Sequence, residues 1–226
     1  MPQQAGPDRA QVVAAIRPEE LPADLAGYAK KNAHRKVNRL LERVSVAPFA
    51  AGLSLYRSHP VGDPDRVALL TVSGWDPDTP VAAGDELTEQ QRGEHYLRPT
   101  GVGGYLQRMP NNAICQLSIA GGFRGPNVHY TGGVDSLALL VTVALGHLAD
   151  GSSDCALVVA YDVPEEQRHA LPDTADANAA AVLLAPQSEG DAVCDAEELL
   201  AALAAVPRPS GAVAGLCDAL IAGATR

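Results

Sequence analysis

The side chains best suited to chemistry cluster between His129 and Ser136, where the run His-Tyr-Thr-Gly-Gly-Val-Asp-Ser brings together an imidazole, a carboxylate and a hydroxyl. A base, an acid and a serine near a helix start are the parts of a nucleophilic hydrolase. Two features count against that chemistry. Asp135 and Ser136 are adjacent, so on a helix their side chains diverge, and the G-x-S-x-G elbow is absent. Ser136 reads better as a first-turn residue or cap, and Asp135 as a carboxylate favoured by the helix dipole. Tyr161 and Asp162 follow an apolar run, where structural bonding is the simpler role. With His129 and Asp135, Tyr161 remains a candidate for acid–base work.

Other signals are weaker. Gly101-Val102-Gly103-Gly104 and Gly121-Gly122 lack the spacing and the Lys-Ser/Thr pair of a phosphate loop. They read as loop glycines. Cys115, Cys155, Cys194 and Cys217 are far apart without a CxxC, so buried free thiols are expected rather than a metal site or a disulfide framework. A net charge of −10 argues against nucleic acid as a partner. Against that background Lys30, Lys31, Arg35, Lys36, Arg39 and Arg43 form a basic run in which Glu42 is the only acid. Such a run is either a solvated helix face or a docking patch for an acidic partner.

The elements that must position these groups follow from pattern. A chain of 226 residues, 46% hydrophobic, can bury a good core and is most simply one domain. Residues 1–9 read as a flexible N-terminus. Gln11 to Ile16 reads as a first strand, and 18–27 as irregular. Asn32 is placed to cap a helix from about Val37 to Tyr56, with Pro48 breaking or kinking it. Val67 to Ser73, rich in Val and Leu without polar alternation, reads as a strand covered on both faces. A helix is possible over Glu86 to Tyr96. Asn111 to Ala120 should be helical, Val128 to Thr131 a short strand, and Asp135 to Ala149 a buried central helix. Cys155 to Asp162 and Ala179 to Ala185 are two more strands. Beyond Ala185, Asp195 to Val206 and Gly211 to Ala222 read as two helices parted by Pro207-Arg208-Pro209-Ser210. Alternating strands and helices predict an α/β layered domain with a mostly parallel central sheet. The longest apolar stretch, Leu137 to Leu145, is too short to span a bilayer. The N-terminus has charge and proline where a signal peptide is apolar, so a cytoplasmic protein is expected.

From Met109 to Leu137 the chain reads MPNNAICQLSIAGGFRGPNVHYTGGVDSL. It resembles the nucleophile region of the β-ketoacyl synthases, in which an Asn-rich helix start leads through a Gly-Pro-Asn turn and a short strand to a helix opened by the catalytic cysteine. The family's spacing from Gly125-Pro126, and onward to the Gly151-Ser152-Ser153-Asp154 turn, puts Val134 in the cysteine's place. A slip of one residue offers only Gly133 or Asp135. Condensation needs an activated thiolate. Valine cannot form a thioester. The resemblance extends over roughly residues 10–186, through Arg35–Leu41 (RKVNRLL), Arg66–Gly74 (RVALLTVSG), Cys155–Asp162 (CALVVAYD) and Ala179–Ala185 (AAAVLLA). Thr131–Leu137 and Tyr161-Asp162-Val163-Pro164 are similar to the branch called chain length factors, found beside aryl-polyene and other type II polyketide systems.

That resemblance implies a half-thiolase fold over 10–186, with 187–226 as a helical extension packed on the same domain. It implies a non-catalytic subunit that binds no cofactor, pairs with an active β-ketoacyl synthase, and serves chains carried on a phosphopantetheinyl acyl carrier protein; the few aromatics and many Ala, Gly, Pro and Asp suggest a bacterial source. None of the six histidines matches the family's catalytic pair, which belongs to a second half that follows in a full synthase. Tyr105, Leu106 and Met109 would line the partner's acyl tunnel, unless they are ordinary core residues. Val128, His129, Tyr130 and Thr131 would be the strand at the dimer interface. Lys30, Lys31, Arg35, Lys36 and Arg39 are the candidate carrier-docking residues. Two alternatives stay open: a stand-alone enzyme, such as a dehydratase or acyltransferase, using Asp135, His129 or Tyr161, and a homodimeric carrier-binding module.

Overall fold

The computed structural model describes residues 9–74, 111–163, 176–187, 192–207 and 210–223. At its centre is a six-stranded sheet of order β3-β2-β4-β5-β1-β6. The strands are β1 (Ala10–Ile16), β2 (Val67–Ser73), β3 (Asn127–Thr131), β4 (Cys155–Asp162), β5 (Asn178–Pro186) and the short β6 (Cys194–Asp195). β2 pairs in parallel with β3 and β4, whereas β5 is antiparallel to both β4 and β1. β1 through β4 therefore all run in one direction, and only β5 and the two-residue β6 oppose them.

β2 is buried at every position, which is why its sequence is rich in Val, Leu and Ala without polar alternation: both faces are covered. Its Ala68, Leu70 and Val72 point to one helical layer and its Val67 and Leu69 to the other. The first layer holds α5 (Val134–Ala149), α6 (Ala196–Ala205) and α7 (Ala212–Gly223). α5 turns Leu137, Leu140, Val141, Ala144 and Leu148 into the core, the spacing of one helix face. The second layer holds α3 (Arg43–Ser58) and α4 (Asn112–Gly121), with α1 (Leu25–Asn32) and α2 (Arg35–Leu40) at its margin.

Three expectations are corrected here. The chain is helical from Leu25, because the Asp24 carboxylate accepts the Gly27 N–H (2.8 Å) and caps α1. Asn32 ends that helix, and His34 caps the next one. The break in the following helical stretch falls at Leu41-Glu42, and Pro48 lies inside an unbroken α3. A mid-helix proline costs about 3 kcal/mol. Burial of eleven α3 residues, Pro48 and Phe49 among them, offsets that cost.

β3 is an edge strand. The Leu69 N–H donates to Pro126 O, and the Gly132 N–H to Ser73 O. With Leu69 opposite Asn127, the alternation of a parallel ladder turns the Val128 and Tyr130 N–H groups toward β2. Those of Asn127, His129 and Thr131 face away from the sheet. The helix predicted at Glu86 to Tyr96 lies outside the described residues.

Candidate functional site

The chain leaves β3 and enters α5 through Gly132-Gly133. Gly132 has φ 148°, and a Cβ there would lie 2.2 Å from Ser136 Oγ, so glycine is required. Ser136 Oγ donates to Thr131 O (3.4 Å), tying the helix start back to the strand. Asp135 is exposed in the first turn of α5, the favourable end of the dipole for a carboxylate. Val134 is 3% exposed. Its N–H donates to Ser210 O at 3.3 Å, and its Cγ2 lies 2.7 Å from where a Cβ on Gly215 would stand. The position the sequence assigns to the missing nucleophile is thus an apolar contact beneath the start of α7.

The acid–base candidates come together only in part. His129 Nδ1 bonds Thr71 Oγ1 at 2.7 Å, and its ring lies over Tyr161 with centroids 6.3 Å apart. Burial lowers the His129 pKa from 6.5 to about 4, so the ring is neutral at pH 7. Tyr161 is 1% exposed, and burial pushes its phenol up to about 12 against a smaller opposing effect of its bond to Ser73. Neither group exchanges a proton readily near neutrality. Asp162 Oδ2 accepts the Val213 N–H of α7 at 2.7 Å, a structural bond. No sequence signal marked that bond, because Gly74 and Gly211, whose missing Cβ atoms leave room for the carboxylate, meet it only in the fold. Among the described residues no cluster of His, Cys, Asp or Glu is arranged to hold a metal ion.

The β3 edge adjoins a cleft of about 340 Å³ lined by Asn111, Ile114, Cys115, Ser118, Ile119, Asn127 and His129. Ile119 is 64% exposed there, and His129 Nε2 is buried without a hydrogen-bond partner. Tyr105, Leu106 and Met109 lie outside the described residues. Lys30, Lys31, Arg35, Lys36 and Arg39 are exposed on α1 and α2, whereas Arg43 is held by both oxygens of Asp176 at 2.6 Å.

No family model and no curated protein sequence matches the chain. Solved structures do. The ketosynthase ApeO in complex with its chain length factor ApeC, from Xenorhabdus doucetiae, matches with TM-score 0.51 and 15% identity over 80% of each chain. A type II polyketide synthase acyl-carrier protein in complex with its ketosynthase (AntDE:AntF) matches at 0.56 and 14%, and the ishigamide ketosynthase/chain length factor at 0.54 and 13%. The fold is that of the ketosynthases. Within this ketosynthase-like fold the chain spans about two thirds of the length of the latter two proteins, 66% and 65%, while they cover 83% of it. None of the described helices is long and apolar enough to cross a membrane.

Proposed function

We propose that the protein is a chain length factor-like subunit without condensing activity of its own, which pairs with an active β-ketoacyl synthase and shapes its acyl tunnel in type II polyketide or polyene synthesis in the cytoplasm. The observation that carries this reading is the contrast between two neighbouring parts of one motif. Val134, at the start of α5, is a buried aliphatic contact, while the preceding strand β3 turns a row of backbone groups outward at the sheet edge. A strand edge of this kind invites pairing. A helix start without a nucleophile does no acyl transfer. The neutral His129 and the buried Tyr161 weigh against a stand-alone acid–base enzyme.

In this reading the N–H groups of Asn127, His129 and Thr131 engage the partner's equivalent strand, Tyr105, Leu106 and Met109 reach its tunnel, and the basic face of α1–α2 meets the acyl carrier protein. The test is co-expression with candidate ketosynthases from the same source. A stable complex that condenses carrier-bound substrates, with neither activity nor product from this chain alone, is expected. Turnover by the isolated chain, or absence of any complex, refutes the reading.

A further inference from the structure

A helix start presents N–H groups that no intrahelical carbonyl satisfies, and acyl-transfer enzymes use such groups to hold developing negative charge. In this chain another part of the same chain occupies that place. The Val134 N–H is engaged by Ser210 O. A Cβ on Gly133 would stand 2.7 Å from that same carbonyl, and one on Gly215 would stand 2.7 Å from Val134 Cγ2. Both approaches therefore depend on glycine. A separate contact holds the covering segment down. Asp162, at the end of β4, accepts the Val213 N–H at 2.7 Å and meets the positive end of the α7 dipole. Around its carboxylate, added Cβ atoms would fall 2.2 Å away on Gly74 and 2.7 Å away on Gly211.

We propose that Ser210–Gly215 is a built-in stopper over the start of α5, with Asp162 as the positioning residue that latches it. This deepens the proposed function, because it rests on the register that puts Val134 at the nucleophile's place. An acyl group or carrier arm then has no space at this helix start even if a nucleophile were present. The chain must leave acyl binding to a site elsewhere, and opening the stopper requires breaking the bond between Asp162 and Val213.

The experiment uses Val134→Cys in the full chain, alkylated with iodoacetamide and read peptide by peptide. Two native thiols are internal standards: Cys115 is exposed and Cys155 is fully buried. An accessible thiol at a helix start is activated and would outpace Cys115. With the stopper closed, the introduced thiol should instead react roughly 100-fold more slowly than Cys115, through local opening alone. Adding Asp162→Ala should raise that rate about tenfold or more while Cys155 stays protected. Asp162→Asn, which keeps an acceptor oxygen, should restore protection. Labelling of the introduced thiol as fast as Cys115 overturns the stopper, and an unchanged rate in Asp162→Ala overturns the latch. If Asp162→Ala also exposes Cys155, amide exchange in the unmodified chain decides. A slow Val134 amide supports the closure, and a fast one overturns it. Failure to bind a ketosynthase would sink the functional reading and leave these rates untouched.

Discussion

Acidification should destabilise the protein through His129 in particular. Burial holds the folded-state pKa near 4, against 6.5 for an open imidazole. Between those values the unfolded chain binds a proton that the folded chain refuses, so stability is complete above pH 6.5 and falls as the pH drops toward 4. Each pKa unit is worth about 1.4 kcal/mol, so the full difference approaches about 3 kcal/mol, a large fraction of an ordinary domain's stability. The measurement is urea unfolding at a series of pH values for the wild type and for His129→Gln, whose amide can still bond Thr71 but does not titrate. The wild type should lose about 3 kcal/mol relative to the variant between pH 7 and pH 4, with most of the loss below pH 6. Parallel profiles for the two proteins, or a directly measured His129 titration near 6.5, would refute the reasoning.

Further outcomes are expected. Val134→Cys should leave the isolated chain without condensing activity in a carrier-dependent assay, because Ser210 and Gly215 cover the position. Thr131→Pro removes an outward donor of β3 and should weaken the ketosynthase complex with little change in thermal unfolding, whereas Val128→Pro should destabilise the chain itself by cutting its bond to β2. Met109→Ala or Tyr105→Ala should lengthen the partner's products and Met109→Trp should shorten them, with total turnover changed less, as read by product mass. Reversing Lys30, Lys31 and Lys36 to glutamate should weaken carrier engagement in a salt-dependent manner, with the ketosynthase complex intact by gel filtration.

Unlike the two-residue β6, which was not legible, β2 and β4 were legible because they are buried along their length: both are rich in Val, Leu and Ala without polar alternation, and runs of seven and eight residues are strand length rather than helix length. α5 was legible for a related reason, as one end is marked by Gly132-Gly133 and the other by the Gly151 turn. α1 was not, because its capping signal is a single aspartate followed by Gly27 in the first turn, a residue that argues against helix. Pro48 misled for the opposite reason. The local rule is sound, but the burial of α3 outweighs it. At the candidate site Val134 was singled out by the family spacing that the resemblance implies, counted from Gly125-Pro126. Its cover was invisible, because Ser210, Gly211 and Gly215 lie far along the chain and meet it only through the packing of α7. The outward face of β3 was half legible: pattern gave the strand, but which N–H groups point away from the sheet depends on the register with β2.

The strand order carries a consequence for how the chain is made. β1 precedes the other strands of this sheet in the chain but has its partners in β5 and β6, and the paired residues of β1 and β5 are about 170 residues apart in sequence. Until those segments leave the ribosome, β1 has both edges unpaired. The parallel core of β2, β3 and β4 can close earlier. Folding is therefore expected to be slow and to end with insertion of β1 between β5 and β6, so this side of the sheet stays open until β6 has emerged.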